Sequence, residues 1–178
     1  PIQADVLLKG GLVFDGSGAK PVVADVAVKG DQIVGIGDLE VDAIWTINCK
    51  GLVVCPGFID LHNHSDNQIV RAETRANINY VRQGCTTVVT GNCGSGPVDV
   101  AAFYKKIDTH GAGTNVAHLL PQGSLRQQVM GSDLRKATAD EHSKMLQLGE
   151  KAMTDGAWGM STGLIYVPSS YATTSEIT

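Results

Sequence analysis

The sequence has no cluster of lysines and arginines, and this absence argues against partners that bind through positive charge. Its 14 basic and 18 acidic residues give a formal net charge of −4. Nucleic acids and anionic membrane surfaces attract proteins through patches of positive charge, so we expect neither as a partner. No apolar run approaches the length of a membrane span and no signal peptide opens the sequence, which also predicts that no membrane is bound.

Cysteine is scarce and widely spaced. The cysteines are Cys49, Cys55, Cys85 and Cys93. A secreted disulfide scaffold would place them densely in a short chain. We therefore expect reduced thiols and a cytoplasmic protein, although this composition leaves a periplasmic or secreted location open. Because the first residue is Pro1 rather than Met, we also expect a segment upstream.

The most informative stretch that is present, residues 52–66, reads LVVCPGFIDLHNHSD. Its apolar start is typical of a buried strand, and its end holds an H-x-H pair, His62 and His64. Because side chains alternate along an extended strand, we expect both imidazoles and Asp60 to lie on one side. The pair can bind one metal ion, and Asp60, one step deeper on the same face, can orient the groups above it. The alternative is two polar residues where a strand meets a loop.

Residues 1–51 predict a small β-rich segment without catalytic groups. Apolar runs at 4–9 and 12–14 are separated by two glycines, and residues 22–36 have the pattern of a hairpin turning at Gly30-Asp31. We expect this segment to pack against something larger and to be followed by a separate α/β part, residues 52–178.

Residues 52–178 predict strands that alternate with helices. Beyond the first strand, the patterns predict a helix over 67–83, a strand over 86–90, a helix over 98–110, a strand over 115–120, a helix over 138–155 and a strand over 157–161. Thr138 and Glu141 form a capping box at the start of the third helix. Such alternation predicts an α/β fold with a parallel sheet.

Two α/β architectures fit these four βα units. An open doubly wound sheet would carry a glycine-rich phosphate loop after its first strand, which is missing here. Histidines at the C-terminal end of that strand fit a TIM-type (β/α)₈ barrel, whose active sites collect at that end. We predict the first half of such a barrel, which would need its remaining half from the same or a separate chain.

A third ligand candidate, Cys93, follows the second strand in the sequence TGNCG. Neighbouring barrel strands run side by side, so its thiol is expected near His62 and His64. A thiolate near a dication is a strong zinc ligand. The alternative, a small buried apolar side chain, is our interpretation of the other cysteines, Cys49, Cys55 and Cys85.

Four further polar residues carry weaker indications of a functional role than His62, His64 and Cys93. His118 lies within a predicted strand and is expected to be a hydrogen-bonded core histidine. His142 is expected to be solvated in the first turn of its helix, and His110 to end a helix, where a partly charged imidazole suits the helix dipole. Asp66 is expected either to contact the metal ligands from behind or to lie in an exposed surface loop.

Several stretches resemble a known family. The sequence VCPGFIDLHNH, residues 54–64, resembles the first-strand signature of the metal-dependent amidohydrolase superfamily. Within it, GCTTVVTGNCG at 84–94 is similar to the N-acyl-D-amino-acid deacylases, or D-aminoacylases. SLR at 124–126, VMG at 129–131 and GAWGMSTGLIY at 156–166 are also similar to them. The β-rich start resembles the small sandwich that these enzymes build from their two chain ends, so a β-sandwich segment is expected before the barrel.

The resemblance implies zinc-dependent hydrolysis of N-acyl-D-amino acids to a carboxylate and a free D-amino acid, with one or two Zn²⁺ ions. It implies that His62 and His64 serve one metal position and that Cys93 also binds zinc. It further implies that Tyr166 lies near the substrate, where its hydroxyl either donates a hydrogen bond or simply stays hydrated. Two later histidines and a general-base aspartate would fall beyond Thr178. Gln122 departs from the family, which often has histidine there.

Two other functions remain open. One is a cyclic-amide hydrolase of the same superfamily, similar to hydantoinase or dihydroorotase. Such enzymes usually use a carboxylated lysine where this chain has Cys93. The other is a non-catalytic fragment that needs a partner chain.

Overall fold

The N-terminal part of the chain forms one mixed β-sheet. The computed structural model describes residues 1–178, which divide into two units, Pro1–Pro56 and Gly57–Thr178. The strands of the first unit are β1 (Ile2–Val13), β2 (Val22–Lys29), β3 (Gln32–Gly37), β4 (Val41–Asn48) and β5 (Val53–Val54). The order is β3-β2-β1-β4, and β5 also pairs with β1. Strands β1, β2 and β3 pair antiparallel, whereas β4 and β5 run parallel to β1.

The predicted hairpin over residues 22–36 is confirmed by the pairing of β2 with β3 across a turn at Gly30. The two predicted runs before it are instead one strand, β1. Its register with β2 shifts between Leu8 and Gly11, and Gly10 adopts a φ of 68°. The glycine therefore absorbs a bulge without ending the strand. Strand β4 has no counterpart among the predicted strands, although its Val41 and Ala43 pack against the buried core of the sheet.

The second unit places helices between parallel strands. Its strands are β6 (Phe58–Asp60), β7 (Cys85–Thr90), β8 (Asn115–His118), β9 (Leu120–Pro121) and β10 (Met160–Ser161). Its helices are α1 (Ile78–Val81), α2 (Val100–His110), α3 (Gln122–Met130), α4 (Ala139–Thr154) and α5 (Thr174–Ile177). Strands β6, β7 and β8 form a parallel sheet in chain order, and β9 pairs parallel with β10. The predicted α/β class is therefore confirmed.

Two of the three predicted helices are confirmed. Helix α2 begins after Asp99, whose carboxylate accepts a hydrogen bond from the amide of Ala102 at 3.0 Å. Helix α4 begins with the predicted capping box, in which Thr138 and Glu141 each satisfy a backbone amide of the other. Helix α3 has no predicted counterpart. None of the helices combines the length and the apolar character that crossing a lipid bilayer requires.

The helix predicted over residues 67–83 is wrong. Most of this stretch consists of turns, and only Ile78–Val81 is helical. Asn77 adopts a left-handed conformation with φ 49° and ψ 37°, which a continuous helix does not accommodate. Its buried side chain donates a hydrogen bond to the Thr114 hydroxyl at 3.0 Å. This long-range contact outweighs the helical spacing of the local apolar residues.

Two apolar clusters stabilise the second unit. The first joins Ile69, Val88 and Phe103, and so fixes the chain after β6 against β7 and α2. The second packs α3 and α4 on β9 around Leu120, which is 1% exposed. Burying each such side chain stabilises the fold by about 1.5–3 kcal/mol. The first cluster thus packs the chain that follows His64 against β7, the strand that precedes Cys93.

Candidate metal centre

The two histidines of the H-x-H pair lie beyond the end of their strand. Strand β6 ends at Asp60, and the chain then bends, so the extended conformation expected through His64 is wrong. The Asp60 carboxylate accepts a hydrogen bond from the backbone amide of His62 at 3.0 Å, which favours a turn over a strand. The imidazole rings of His62 and His64 still lie near each other, with centroids 5.5 Å apart and an interplanar angle of 72°.

Asn63 anchors the loop between the two histidines. Its buried side chain donates to the Val89 carbonyl at 3.1 Å and accepts from the amide and the hydroxyl of Ser65 at 3.1 and 2.6 Å. The middle residue of the motif therefore points inward, while the flanking imidazoles of His62 and His64 are exposed. The convergence of the two rings thus results from a turn with a buried asparagine.

Cys93 lies on a loop with an uncommon backbone conformation. After β7 ends at Thr90, Gly91, Cys93 and Gly94 have φ angles of 78°, 55° and 70°. Left-handed φ is routine for glycine and uncommon for cysteine, so the surrounding contacts must hold Cys93 in place. This conformation brings its Sγ to 3.3 Å from Nε2 of His62.

The structure brings together the three residues that the sequence predicts as metal ligands. One donor atom from each of His62, His64 and Cys93 lies within 4.8 Å of the other two. Ligands bound to zinc at about 2.0–2.3 Å are at most about 4.6 Å apart, so the spacing suits a single ion after small side-chain adjustments. Imidazole nitrogen and thiolate sulfur are also the donors that zinc prefers. The residues present therefore fit a zinc ion.

Polar side chains from within the Cys93 loop and from β10 hold this loop. Asn92 donates hydrogen bonds to the carbonyls of Val89 and Asn63, at 2.7 and 3.3 Å. The Ser161 hydroxyl donates to the Gly91 carbonyl and accepts from another amide of the same loop. No local pattern in the sequence indicates Asn92 or Ser161, because their contacts with Asn63 and Gly91 span 29 and 70 residues.

His118 is the buried core histidine that its strand position predicts. Its ring contacts the Thr90 hydroxyl through Nδ1 at 2.8 Å and the Pro97 carbonyl through Nε2 at 2.9 Å. Burial lowers its pKa, and the Pro97 carbonyl and the Asp66 carboxylate oppose this effect. A neutral ring with the proton on Nε2 satisfies both contacts.

Asp66 is buried, so the surface-loop alternative is wrong. Its carboxylate oxygen accepts a hydrogen bond from the amide of Gly91 at 2.6 Å and lies 3.8 Å from Nδ1 of His118. It therefore connects the loop of His62 and His64 to the loop of Cys93.

Tyr166 lines a cavity that reaches the metal-ligand candidates. The cavity has a volume of about 380 Å³, and its lining includes His64, Cys93, Gln127 and Ser169. The Tyr166 side chain is exposed, and the residue is 59% accessible. Tyr166 therefore lines the same cavity as the metal-ligand candidates His64 and Cys93.

The remaining histidines, the other cysteines and Gln122 lie outside this group. His110 is exposed, whereas His142 is half-buried and contacts the Ser175 carbonyl through Nε2 at 3.0 Å. The donor set does not include Cys49, Cys55 or Cys85. Gln122 is buried and donates to Glu176 at 2.9 Å, while Glu176 also pairs with the buried Arg126.

Comparison with known proteins identifies relatives that share this arrangement of the chain. A D-aminoacylase from Alcaligenes xylosoxydans xylosoxydans is 40% identical over 97% of this chain and 40% of its own length. A solved D-aminoacylase with a binuclear metal centre is 36% identical, with a TM-score of 0.91 over 98% of this chain and 41% of that one. The solved N-acyl-D-glutamate deacylase of Bordetella bronchiseptica, bound to zinc and a phosphonate inhibitor, is 32% identical, with a TM-score of 0.92 and the same coverage.

The chain thus spans about 40% of the length of these relatives. The model of the amidohydrolase family matches residues 46–175, which include β6 to β10 and all three metal-ligand candidates. The chain therefore belongs to the amidohydrolase family.

Proposed function

We propose that this chain supplies part of the metal site of a zinc-dependent hydrolase that converts N-acyl-D-amino acids to a carboxylate and a free D-amino acid. The convergence of His62, His64 and Cys93 is the observation that carries the proposal. The relatives named D-aminoacylase and N-acyl-D-glutamate deacylase support this substrate class. The cysteine in the donor set also favours it over a cyclic-amide hydrolase, which usually uses a carboxylated lysine at this place.

We propose that residues 52–178 form the first half of a (β/α)₈ barrel and that residues 1–51 form part of a small β-sandwich. The parallel order β6-β7-β8 supports the first assignment, as do metal-ligand candidates that follow the C-terminal ends of β6 and β7. The proposed enzyme is complete only with the remaining half of the barrel, in the same or a separate chain. We propose a cytoplasmic location for it, with no nucleic acid or membrane as partner.

In this proposal His62, His64 and Cys93 would hold one or two zinc ions. Zinc, when bound, would lower the pKa of a coordinated water to about 7 and polarise the amide carbonyl. The Tyr166 hydroxyl donates a hydrogen bond to the developing oxyanion or to the substrate carboxylate. A carboxylate from the rest of the barrel takes the proton and delivers it to the leaving nitrogen.

The proposal is tested first by zinc binding. We expect the chain to bind zinc and each of the variants His62→Ala, His64→Ala and Cys93→Ala to lose at least about 100-fold in affinity, since even residues behind the ligands cost 10–100-fold. Affinity is measured by competition with a chromophoric chelator. His110→Ala and Cys55→Ala are the matched controls, because both residues are exposed and lie outside the donor set.

Activity then separates the remaining functions. With the rest of the barrel present, we expect release of D-amino acids from N-acetyl-D-amino acids and no release from their L-enantiomers. Hydrolysis of hydantoins or dihydroorotate in its place would support the cyclic-amide alternative. Zinc binding without hydrolysis of either class would indicate a non-catalytic metal-binding protein.

A further inference from the structure

The proposed metal site combines ligands from two loops, and their relative position must be held by contacts. We call residues 61–66 the His-loop and residues 91–96 the Cys-loop. They follow β6 and β7 respectively. A shift of about 1 Å between them would separate Sγ of Cys93 from the imidazole of His62, which is now 3.3 Å away. A side chain that joins the two loops therefore controls the geometry of the donor set.

Asp66 is such a side chain. It ends the His-loop, is 5% exposed, and accepts a hydrogen bond at 2.6 Å from the amide of Gly91, the first residue of the Cys-loop. A hydrogen bond between buried groups is electrostatically stronger than one in water. Without the carboxylate, the Gly91 amide would be buried without this partner.

Gly91 is held on its other side as well. Its carbonyl accepts from the Ser161 hydroxyl, which in turn accepts from the amide of Gly94 at 3.0 Å. Cys93 lies between these two glycines in the left-handed conformation. Because Asp66 fixes the amide of Gly91 and Ser161 fixes its carbonyl, the direction of the chain into Cys93 is set by both contacts.

The Asp66 carboxylate has little freedom to move. A Cβ atom added at Gly96 would lie 2.9 Å from its Oδ1, so the far end of the Cys-loop passes directly over the carboxylate. The neighbouring ring of His118 contacts Thr90 and Pro97, the residues that flank the Cys-loop on either side. The loop therefore closes around Asp66.

We infer that Asp66 is a positioning residue for Cys93: its carboxylate joins the His-loop to the Cys-loop and so places the thiolate beside the histidines. The inference rests on the proposed metal site. Asp66 need not touch the metal or the substrate, because it acts through the backbone of Gly91.

The test compares Asp66→Ala with Asp66→Asn, which keeps an oxygen able to accept from Gly91. Cobalt(II) is titrated into each protein, and the thiolate-to-cobalt charge-transfer absorption reports whether Cys93 coordinates it. We expect Asp66→Ala to lower cobalt affinity about 10–100-fold and to weaken this absorption, and Asp66→Asn to restore both. Normal affinity and absorption in folded Asp66→Ala would overturn the inference.

Asp25→Ala is the matched control for this substitution. Asp25 is also a buried aspartate, 8% exposed, and accepts a hydrogen bond from a glycine amide, that of Gly10, at 2.8 Å. It belongs to the N-terminal unit, away from both loops in the sequence. We expect its loss to leave cobalt affinity and absorption unchanged.

Amide hydrogen exchange tests the same inference without metal. We expect peptides that contain residues 91–96 to exchange at least about tenfold faster in Asp66→Ala and at the normal rate in Asp66→Asn and Asp25→Ala. Unchanged exchange in Asp66→Ala would refute the positioning role. Should the unsubstituted protein bind neither cobalt nor zinc, the proposed function fails by itself, and the exchange rates still decide whether Asp66 holds the Cys-loop.

Discussion

Gly91 illustrates how single residues limit the geometry of the candidate site. Its backbone has a φ of 78°, and the carbonyl oxygen of Leu119 and the ring of His118 lie where a side chain would begin. A residue at this position must therefore accept a left-handed backbone and have no Cβ atom. Both demands arise because the Cys-loop packs directly on the chain between β8 and β9.

We predict that Gly91→Ala destabilises the fold much more than Gly51→Ala. Gly51 has nearly the same φ, 80°, but no atom lies within 4 Å of where its Cβ would be. Both variants carry the backbone cost of a non-glycine residue at positive φ, whereas only Gly91→Ala adds overpacking, at about 1–3 kcal/mol. The free energy of unfolding from urea titration measures the difference, and equal losses would contradict the close approach.

His118 predicts a dependence of stability on pH. Burial lowers its folded pKa below the ordinary 6.5, against the opposing effects of Pro97 and Asp66, and the Tyr104 hydroxyl accepts from its backbone amide at 2.9 Å. Because the pKa of this imidazole is higher in the unfolded chain, the unfolded state binds a proton at a pH where the folded state does not. As pH falls below 6.5, stability should decrease by up to about 1.4 kcal/mol per pH unit.

The measurement is the slope of unfolding free energy against pH between 7 and about 5. Replacing His118 by Gln should flatten the slope whatever it does to absolute stability, and the exposed control His110→Gln should leave it unchanged. If the unfolding free energy of His118→Gln depends on pH as strongly as that of the unsubstituted protein, another group causes the effect.

Among the elements, helix α4 forms as its local sequence predicts, whereas the stretch at 67–83 does not form the helix that its local sequence predicts. Helix α4 has strong local signals, since its capping box is formed by two residues only three positions apart. The Arg135 guanidinium and then the Thr138 amide lower the pKa of the Glu141 carboxyl to about 2. These contacts therefore persist above the ordinary pKa of 4.5 and are lost only as pH falls towards 2.

We predict that Thr138→Ala destabilises the protein at pH 7 by about 1 kcal/mol, because the Glu141 amide loses its acceptor. Thr154→Ala in the last turn of the same helix is the control, since the Thr154 hydroxyl only donates to the Glu150 carbonyl, which already belongs to the helix. Thermal unfolding followed by circular dichroism compares the two variants. Equal effects would show that the cap contributes no more than any exposed threonine.

At the scale of the whole molecule, the chemistry is confined to one of the two units. All three metal-ligand candidates belong to the unit Gly57–Thr178, whereas the unit Pro1–Pro56 is a β-sheet with a small core around Leu7. A metal bound by the folded state stabilises the unit that supplies its ligands, by about 2.7 kcal/mol when zinc is at 100 times its Kd.

We therefore predict that zinc slows amide exchange in peptides from 58–66 and 88–96 and leaves peptides from β1 and β2 unchanged. Mass spectrometry of exchanged peptides makes the comparison, and His64→Ala is the control that should remove the effect. Protection that appears equally in both units would show that zinc stabilises the chain as a whole.

Sequence reasoning identified the donor set because each member carries a local signal. His62 and His64 follow an apolar strand, and Cys93 follows the next one between glycines. The expected reason for their convergence was partly wrong, since the histidines lie on a bend and not on an extended strand. Residue type and strand order thus predict which residues are the candidate ligands and roughly where they lie. Both depend only on short stretches of sequence.

The sequence alone determined the α/β alternation, the hairpin of β2 and β3, the capping box of α4 and the candidate ligands, because these depend on neighbours a few residues apart. The turns at residues 67–76, the burial of Asp66 and the contact of Ser161 with the Cys-loop depend on the folded arrangement of the chain. Each of these depends on a partner at least 25 residues away, as in the contacts of Asn77 with Thr114 and of Asp66 with Gly91. Hydrogen bonds between distant buried groups leave no periodic pattern along the chain, so they become visible only when the fold brings the partners together.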